Sequence, residues 1–382
     1  MADPLGVYIH WPYCARICPD CDFNVFRHRG REHEQGDLVT AICADLEQQR
    51  RQTGPGDLVS IFFGGGTPSL MNPADVARII ELCRRLWTPV EPLEINLEAN
   101  PTDAETARFE ALAQAGVTRL SLGVQSLDDA ELRFLGRNHG AEEAQRAARL
   151  ARRVFPQLSV DFIYALPGQT RDQWRATLAG AVALEPDHIS PYQLTIESGT
   201  AFDRAVRRGR LQPTDDILGA ELYDLTQEDL NAAGYDAYEV SNHARRPEAR
   251  SRHNLIYWRG EAYVGVGPGA HGRLHMPQGW TATVTASRPE DYIKALRQTG
   301  SGISTVEALS DADRAQERLM MGLRTDEGVA WIDLRALDLS PASQAVQALA
   351  ELGLAAPDPL RLRVTPEGRR MLDSVIRKLV LD

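Results

Sequence analysis

The stretch CARICPDC places Cys14, Cys18 and Cys21 at spacings of four and three residues and runs on into DFN. Those offsets would align the three on one helical face, where cysteine serves as a small buried apolar residue. Pro19 inside the stretch and Pro12 before it oppose a helix, because proline removes a backbone donor and clashes with the preceding turn. The thiols therefore belong to a loop and can converge on one centre. Three chemistries are open to them. Structural zinc takes four protein ligands, so His10, Asp20 or His28 would complete the set. A cubane iron-sulfur cluster normally takes four thiolates, and three would leave one iron open to a small molecule. Inert thiols are the third option, but a cysteine cluster in a reducing compartment more often binds metal or does redox work. Cys43 and Cys83 fall in register with apolar neighbours on amphipathic patterns and read as core.

FFGGGTPS follows a second apolar run, and its three glycines would let a ligand approach the backbone without obstruction by Cβ. Neither phosphate-binding glycine pattern is present there, so a nucleoside triphosphate or dinucleotide is not supported. Three further runs end in polar residues: Glu98 in LEANP, Gln125 in LGVQS and Asp161 in SVDFIYALPGQT. Strands covered on both faces should be nearly continuous apolar runs, so each polar residue needs a partner. Any one could cap a helix; together with Arg137 in LGRNH they suggest a ring around a shared polar ligand. HNLIYW sets His253 among aromatic residues, and by itself reads as a hydrogen-bonding histidine beside core aromatics in a strand or loop.

These residues hang on an alternating framework. Candidate strands are GVYIH from Gly6, LVSIFF from Leu58, LEINLE from Leu93, VTRLSLGV from Val117, LSVDFIY from Leu158 and HISPYQL from His188. Helical patterns lie between them, the cleanest being NPADVARIIELCRRL with Asn72 as N-cap and Pro73 at the first helical position. Six βα units predict a parallel α/β sheet over residues 1–240, wound into an incomplete (βα)6 barrel, with an open sheet as the alternative. Ligands gather at the carboxyl ends of such strands, where the cysteine loop and GGG both fall. Residues 241–303 form a connecting region holding HNLIYW and GVGPGAHG. Residues 304–382 read as a small helical, winged-helix-like domain, with Gly353 stopping one helix and Thr365 and Pro366 opening another. Of 382 residues 43% are hydrophobic and the formal net charge is −11, which disfavours nucleic acid as a partner. The basic cluster of Arg361, Arg363, Arg369, Arg370, Arg377 and Lys378 is the one feature that would suit a DNA-binding regulator. The absence of a signal peptide or apolar span predicts a cytoplasmic protein.

The wording of the motifs carries a resemblance. C-x3-C-x2-C after the first strand and GGG after the second resemble the radical S-adenosylmethionine (SAM) superfamily. YIHWPYCARICPDCDFN, FGGGTPS, EANP, GVQS, LGRNH, DFIYALPGQT and HNLIYW resemble, over nearly the whole chain, the HemW haem chaperones, relatives of the oxygen-independent coproporphyrinogen III oxidases. The resemblance implies a [4Fe-4S] cluster on Cys14, Cys18 and Cys21, its fourth iron chelated by SAM. It places Tyr8, Gly65, Gly66, Thr67, Glu98, Gln125, Arg137 and Asp161 around that cosubstrate, whose reductive cleavage would yield a deoxyadenosyl radical. It also turns His253, Tyr257 and Trp258 into haem contacts, with Arg252 and Arg259 near the propionates and His243, His271 and His275 as rival ligands. The oxidases resemble C-x3-C-x2-C-x-C, whereas this chain has Phe23 at the last position, so the resemblance favours a chaperone over a coproporphyrinogen-oxidising enzyme. The implied partners are haem and a haem-accepting protein, which could sit at a membrane although this chain has no span. The chain could act as a homodimer.

Overall fold

A computed structural model describes residues 3–28 and 30–381. Six parallel strands run in sequence order: β1 (Pro4–Trp11), β2 (Asp57–Gly65), β3 (Thr88–Ala99), β4 (Arg119–Gln125), β5 (Gln157–Tyr164) and β6 (His188–Gln193). The main helices between them are α1 (Gln35–Thr53), α2 (Pro73–Leu86), α3 (Ala141–Val154) and α4 (Arg171–Ala183), and α5 (Asp216–Ala232) follows β6. Local chemistry starts the helices where the sequence places them. Asn72 accepts from the amide of Ala74 ahead of α2 with Pro73 at its first turn, and Thr170 and Gln173 form a capping box on α4.

Residues of one parity on each strand, such as Ile9, Ile61, Leu97, Leu122, Val160 and Ile189, are buried in the main apolar core. The opposite parity is polar: Ser60, then Glu94, Asn96 and Glu98, then Arg119 and Ser121, then Ser159 and Asp161, then His188 and Ser190. Register aligns them into rows, Glu98 beside Ser121 and Asp161 beside Ser190. The strands therefore alternate instead of being apolar on both faces, because one face lines a polar cavity. The strand order is linear and does not close, which is the incomplete barrel.

The region after residue 240 does more than connect. Helix α6 (Arg252–Trp258) holds the HNLIYW motif, where a strand or loop was the expectation from isolated residues. Strand β7 (Ala262–Val266) pairs in parallel with β1 on the side away from β2, and β8 (His271–Met276), β9 (Gly279–Thr285) and β10 (Ile303–Ala308) add antiparallel strands. The boundary read at 303/304 thus falls inside β10. The β-branched run in ISTVEA favours strand there, and helix α7 (Asp311–Gly322) begins only after the Ser310 cap. Beyond it a three-stranded antiparallel sheet and helices Gln344–Glu351 and Leu372–Leu381 enclose their own core of Leu319, Val346, Leu349, Leu362 and Val375. Three of its cations have partners within the chain: Arg370 pairs with Asp224, Arg363 with Asp358, and Arg361 donates to the carbonyl of Glu327. Among the described residues no helix is long and apolar enough to cross a membrane.

Candidate functional site

The cysteine loop, the GGG turn and the carboxyl ends of β3, β4 and β5 converge on a cavity of about 400 Å3. Cys14, Cys18 and Cys21 are free thiols on its wall. Gly66 lies against this loop so closely that a Cβ there would sit 2.7 Å from the carbonyl oxygen of Tyr13 and 3.0 Å from Cys14 Sγ. Gly65 has φ of +107° and donates its amide to Glu98 at 3.1 Å. Arg137 bridges to Asp20 at 3.2 Å, tying the cysteine loop to the segment just after the short helix Asp129–Phe134. Arg137 Nε and Asp20 Oδ1 are buried without a hydrogen-bond partner, so both retain capacity for a polar ligand. Gln125 takes a left-handed backbone, φ 68°, at the end of β4, a conformation that costs energy outside glycine.

Burial pushes the thiols up, Cys14 to about 12 against a hydrogen bond from Thr67, and Cys21 to about 11. Deprotonation then accompanies metal binding. Glu98 is raised from 4.5 to about 8 by desolvation and by Asp161, against the Gly65 amide. Desolvation raises Asp161 from 3.8 to about 6, opposed by Ser190 and Ser121. Two buried carboxyls facing one cavity without a cation between them ask for a cationic ligand. For an acid whose folded pKa is raised, stability is full below the unfolded value and declines as pH climbs to the folded one. The ligand-free chain is therefore expected to lose stability between pH 4.5 and 8 on account of Glu98, with a limiting slope of about 1.4 kcal/mol per pH unit. Glu98→Gln should raise the melting temperature at pH 8 and leave it unraised at pH 4. Equal melting temperatures at pH 8 would refute the assignment.

A second cavity, about 560 Å3, lies on the other side of the Asp22–Phe23 segment, and both of those residues line both cavities. Helix α6 forms the common floor. Asn254 faces the first cavity, and Tyr257 and Trp258 face the second. His253 lies between them, 1% exposed. Its Nδ1 pairs with Ser60 Oγ at 2.8 Å, its Nε2 with Tyr257 Oη at 2.7 Å, and its ring stacks on Phe62. Burial lowers its pKa to about 3. Both ring nitrogens are thus committed, and the structure does not present His253 as a haem ligand. Arg259 is paired with Glu327 and Arg252 donates to the carbonyl of Pro92, so neither guanidinium reaches the cavity walls.

Of the eight residues expected around a cosubstrate, Gly65, Gly66, Thr67, Glu98, Gln125, Arg137 and Asp161 line the first cavity. Tyr8 does not; its partner in register, Phe62, takes that wall, and Tyr8 faces the second cavity with its hydroxyl 3.0 Å from His10 Nδ1. The expectation missed the bond network beneath the site. Glu94 and Arg119, 6% and 1% exposed, pair at 3.1 Å. Glu94 also accepts the amides of Arg252 and His253, holding α6 in place. The signal was available as charges in the middle of strands LEINLE and VTRLSLGV.

Comparison with known proteins bears on what this arrangement serves. A family model described as the radical SAM superfamily matches residues 8–179, and one described as the HemN C-terminal domain matches residues 309–371. The cattle protein named radical S-adenosyl methionine domain-containing protein 1, mitochondrial, is 40% identical over 98% of this chain and 87% of its own. The Bacillus subtilis heme chaperone HemW is 32% identical over 97% of each chain. The chain belongs to the HemW family of radical SAM proteins. The solved structure of Escherichia coli coproporphyrinogen III oxidase, HemN, is similar in fold, with a TM-score of 0.81 at 22% identity over 99% of this chain and 90% of that one.

The residues present fit what a radical SAM protein of the HemW family requires. Three thiols free of disulfides share one cavity with a glycine turn that admits backbone contact. Among the described residues no three His, Cys, Asp or Glu side chains are arranged to hold a single metal ion. A cubane does not ask that of them, since each thiolate binds a different iron. The candidates for a fourth zinc ligand are wholly or partly engaged elsewhere. His10 uses both ring nitrogens, on Tyr8 and on the carbonyl of Asn24; Asp20 is paired with Arg137; and His28 Nδ1 bonds Gln35.

Proposed function

We propose that this chain is a haem chaperone of radical SAM type, in which Cys14, Cys18 and Cys21 hold a [4Fe-4S] cluster and the 400 Å3 cavity takes SAM. The observation that carries the reading is the convergence of three free thiols, the glycine turn, the buried Glu98 and Asp161 and the half-satisfied Arg137 on one cavity. A cluster with an open iron supplies a site for the amino and carboxylate groups of SAM and an electron for cleaving its carbon-sulfur bond. The chain's own residues match the remaining polar chemistry. Glu98 and Asp161 accept from the amine and ribose hydroxyls, Gln125 serves either as donor or acceptor, and Arg137 is the cation for a carboxylate. The glycine turn offers backbone groups at close range.

The chaperone part of the reading is supported by relatives whose printed name is heme chaperone HemW, from Bacillus subtilis, Mycobacterium tuberculosis and Escherichia coli. Phe23, where the oxidase pattern has a further cysteine, supports it from this chain's own sequence. A thiol cluster that holds an iron-sulfur centre suits a reducing compartment such as the cytoplasm. Haem passes from it to acceptor haemoproteins, membrane-associated ones included. Mixing the haem-loaded, cluster-replete chain with an apo-haemoprotein should move the Soret band from donor to acceptor. Sustained formation of protoporphyrinogen from coproporphyrinogen III by the reduced protein would overturn the reading in favour of an oxidase.

A further inference from the structure

We propose that the second cavity is the haem seat and that His271 is the iron ligand. This rests on the haem-chaperone reading and names where and how that cargo is held. The cavity, about 560 Å3, is within the range that encloses a sizeable organic ligand. Its walls carry Tyr257, Trp258, Tyr263, Phe23 and Met321, flat rings and a thioether suited to the faces of a macrocycle. Phe23 is 62% exposed and Met321 36%, large apolar groups left at the rim without cover.

The histidines of the chain separate by what their ring nitrogens already do. His10 and His271 are the two on this cavity. His10 uses both nitrogens, as does the floor residue His253. His243 is buried and bonded to Gln227, and His275 lies tilted against the Trp280 ring; neither lines the cavity. His271 is exposed and makes no hydrogen bond or ion pair among the described residues. Its backbone is fixed although its ring is uncommitted. A Cβ on Gly265 would lie 1.9 Å from the His271 carbonyl, so β7 and β8 cross at a glycine, and Gly267 and Gly269 pack on His10 and Asn24. That accounts for GVGPGAHG: its glycines set the ligand strand against the end of the cysteine loop, where Asn24 donates to the carbonyls of Pro268 and Ser287. An axial ligand on a braced strand is held more firmly than one on a loop. The wall's cations, Arg273 and Arg314, share Glu317, and haem propionates would compete with that carboxylate.

Haem titration of the anaerobically prepared full chain tests this. The wild type should give the Soret band of a histidine-ligated haem. His271→Ala should shift or lose it and weaken binding roughly tenfold or more, about 1.4 kcal/mol or above. Added imidazole should restore the band, which a merely structural role would not allow, and His275→Ala should leave it in place. Met321→Trp fills the cavity with His271 intact and should lose haem while far-UV circular dichroism and SAM binding stay unchanged. A wild-type spectrum and affinity in His271→Ala, or full haem binding in Met321→Trp, overturns this proposal alone. A wild-type chain that takes up no haem overturns the chaperone reading with it.

Discussion

Cys18→Ser should abolish the iron-sulfur centre, taking anaerobically reconstituted protein from about four irons per chain to well below one. Cys18 is the cleanest of the three to change. Cys14 is buried and bonded to Thr67, so its loss would also disturb packing, whereas Cys18 is half-buried on the loop and has Arg137 nearby. A serine hydroxyl is almost isosteric but is not a thiolate, and iron held by two thiolates lacks the ligands of a cubane with one open corner. His10 has both ring nitrogens bonded, Asp20 has one carboxylate oxygen on Arg137, and among the described residues no group of three His, Cys, Asp or Glu side chains is arranged to hold a metal ion. The fold should persist, because Cys18 belongs to none of the apolar cores. SAM affinity should fall with the iron. The check is iron and sulfide analysis beside circular dichroism. Full cluster content in Cys18→Ser would mean that the ligand set is different, and a wild-type chain that assembles zinc in place of iron would sink the centre altogether.

What could be read from the chain was local. The caps on α2 and α4, the six strand cores and the loop character of CARICPDC follow from a handful of neighbouring residues. The convergence of Glu98, Gln125 and Asp161 followed from their place at strand ends, because parallel strands bring such ends to one side. Contacts between distant segments were not legible. His253 has its hydrogen bond with Ser60, 193 residues away, and its accessibility to haem depends on that contact and on Glu94. Tyr8 lines the second cavity and not the first, which the sequence does not show, because Phe62 on the neighbouring strand takes the first cavity's wall. The strand that spans 303/304 was hidden for a related reason: ISTVEA is exposed along most of its length, so no alternation marks it, and only pairing with β9 makes it a strand. HNLIYW looked like one motif with one purpose. Its residues are divided among a sealed floor, the first cavity and the second.

That floor leads to the other large expected effect, from a residue that lines neither cavity. Arg119→Met should lower stability by about 3–5 kcal/mol, the cost of stranding one charge of a buried pair. Arg119 does three things at once: it pairs with Glu94, donates to Ser159 Oγ at 3.0 Å and donates to the carbonyl of Ala249 at 2.9 Å. Without it Glu94 keeps the amides of Arg252 and His253 but loses its cation, in a place water does not reach. Adding Glu94→Gln to Arg119→Met removes the stranded charge, so the double variant should cost less than the two single changes summed, by roughly 0.5–3 kcal/mol. Denaturant midpoints of the four proteins measure that coupling. The functional consequence separates this network from ordinary core packing. Glu94 fixes the start of α6, and α6 presents Asn254 to one cavity and Tyr257 and Trp258 to the other. Arg119→Met should therefore weaken both SAM and haem binding under conditions where the chain is still folded, although Arg119 lines neither cavity. Stability and both affinities within about 0.5 kcal/mol of wild type, the range of an inconsequential surface change, would show that the pair does not hold the floor.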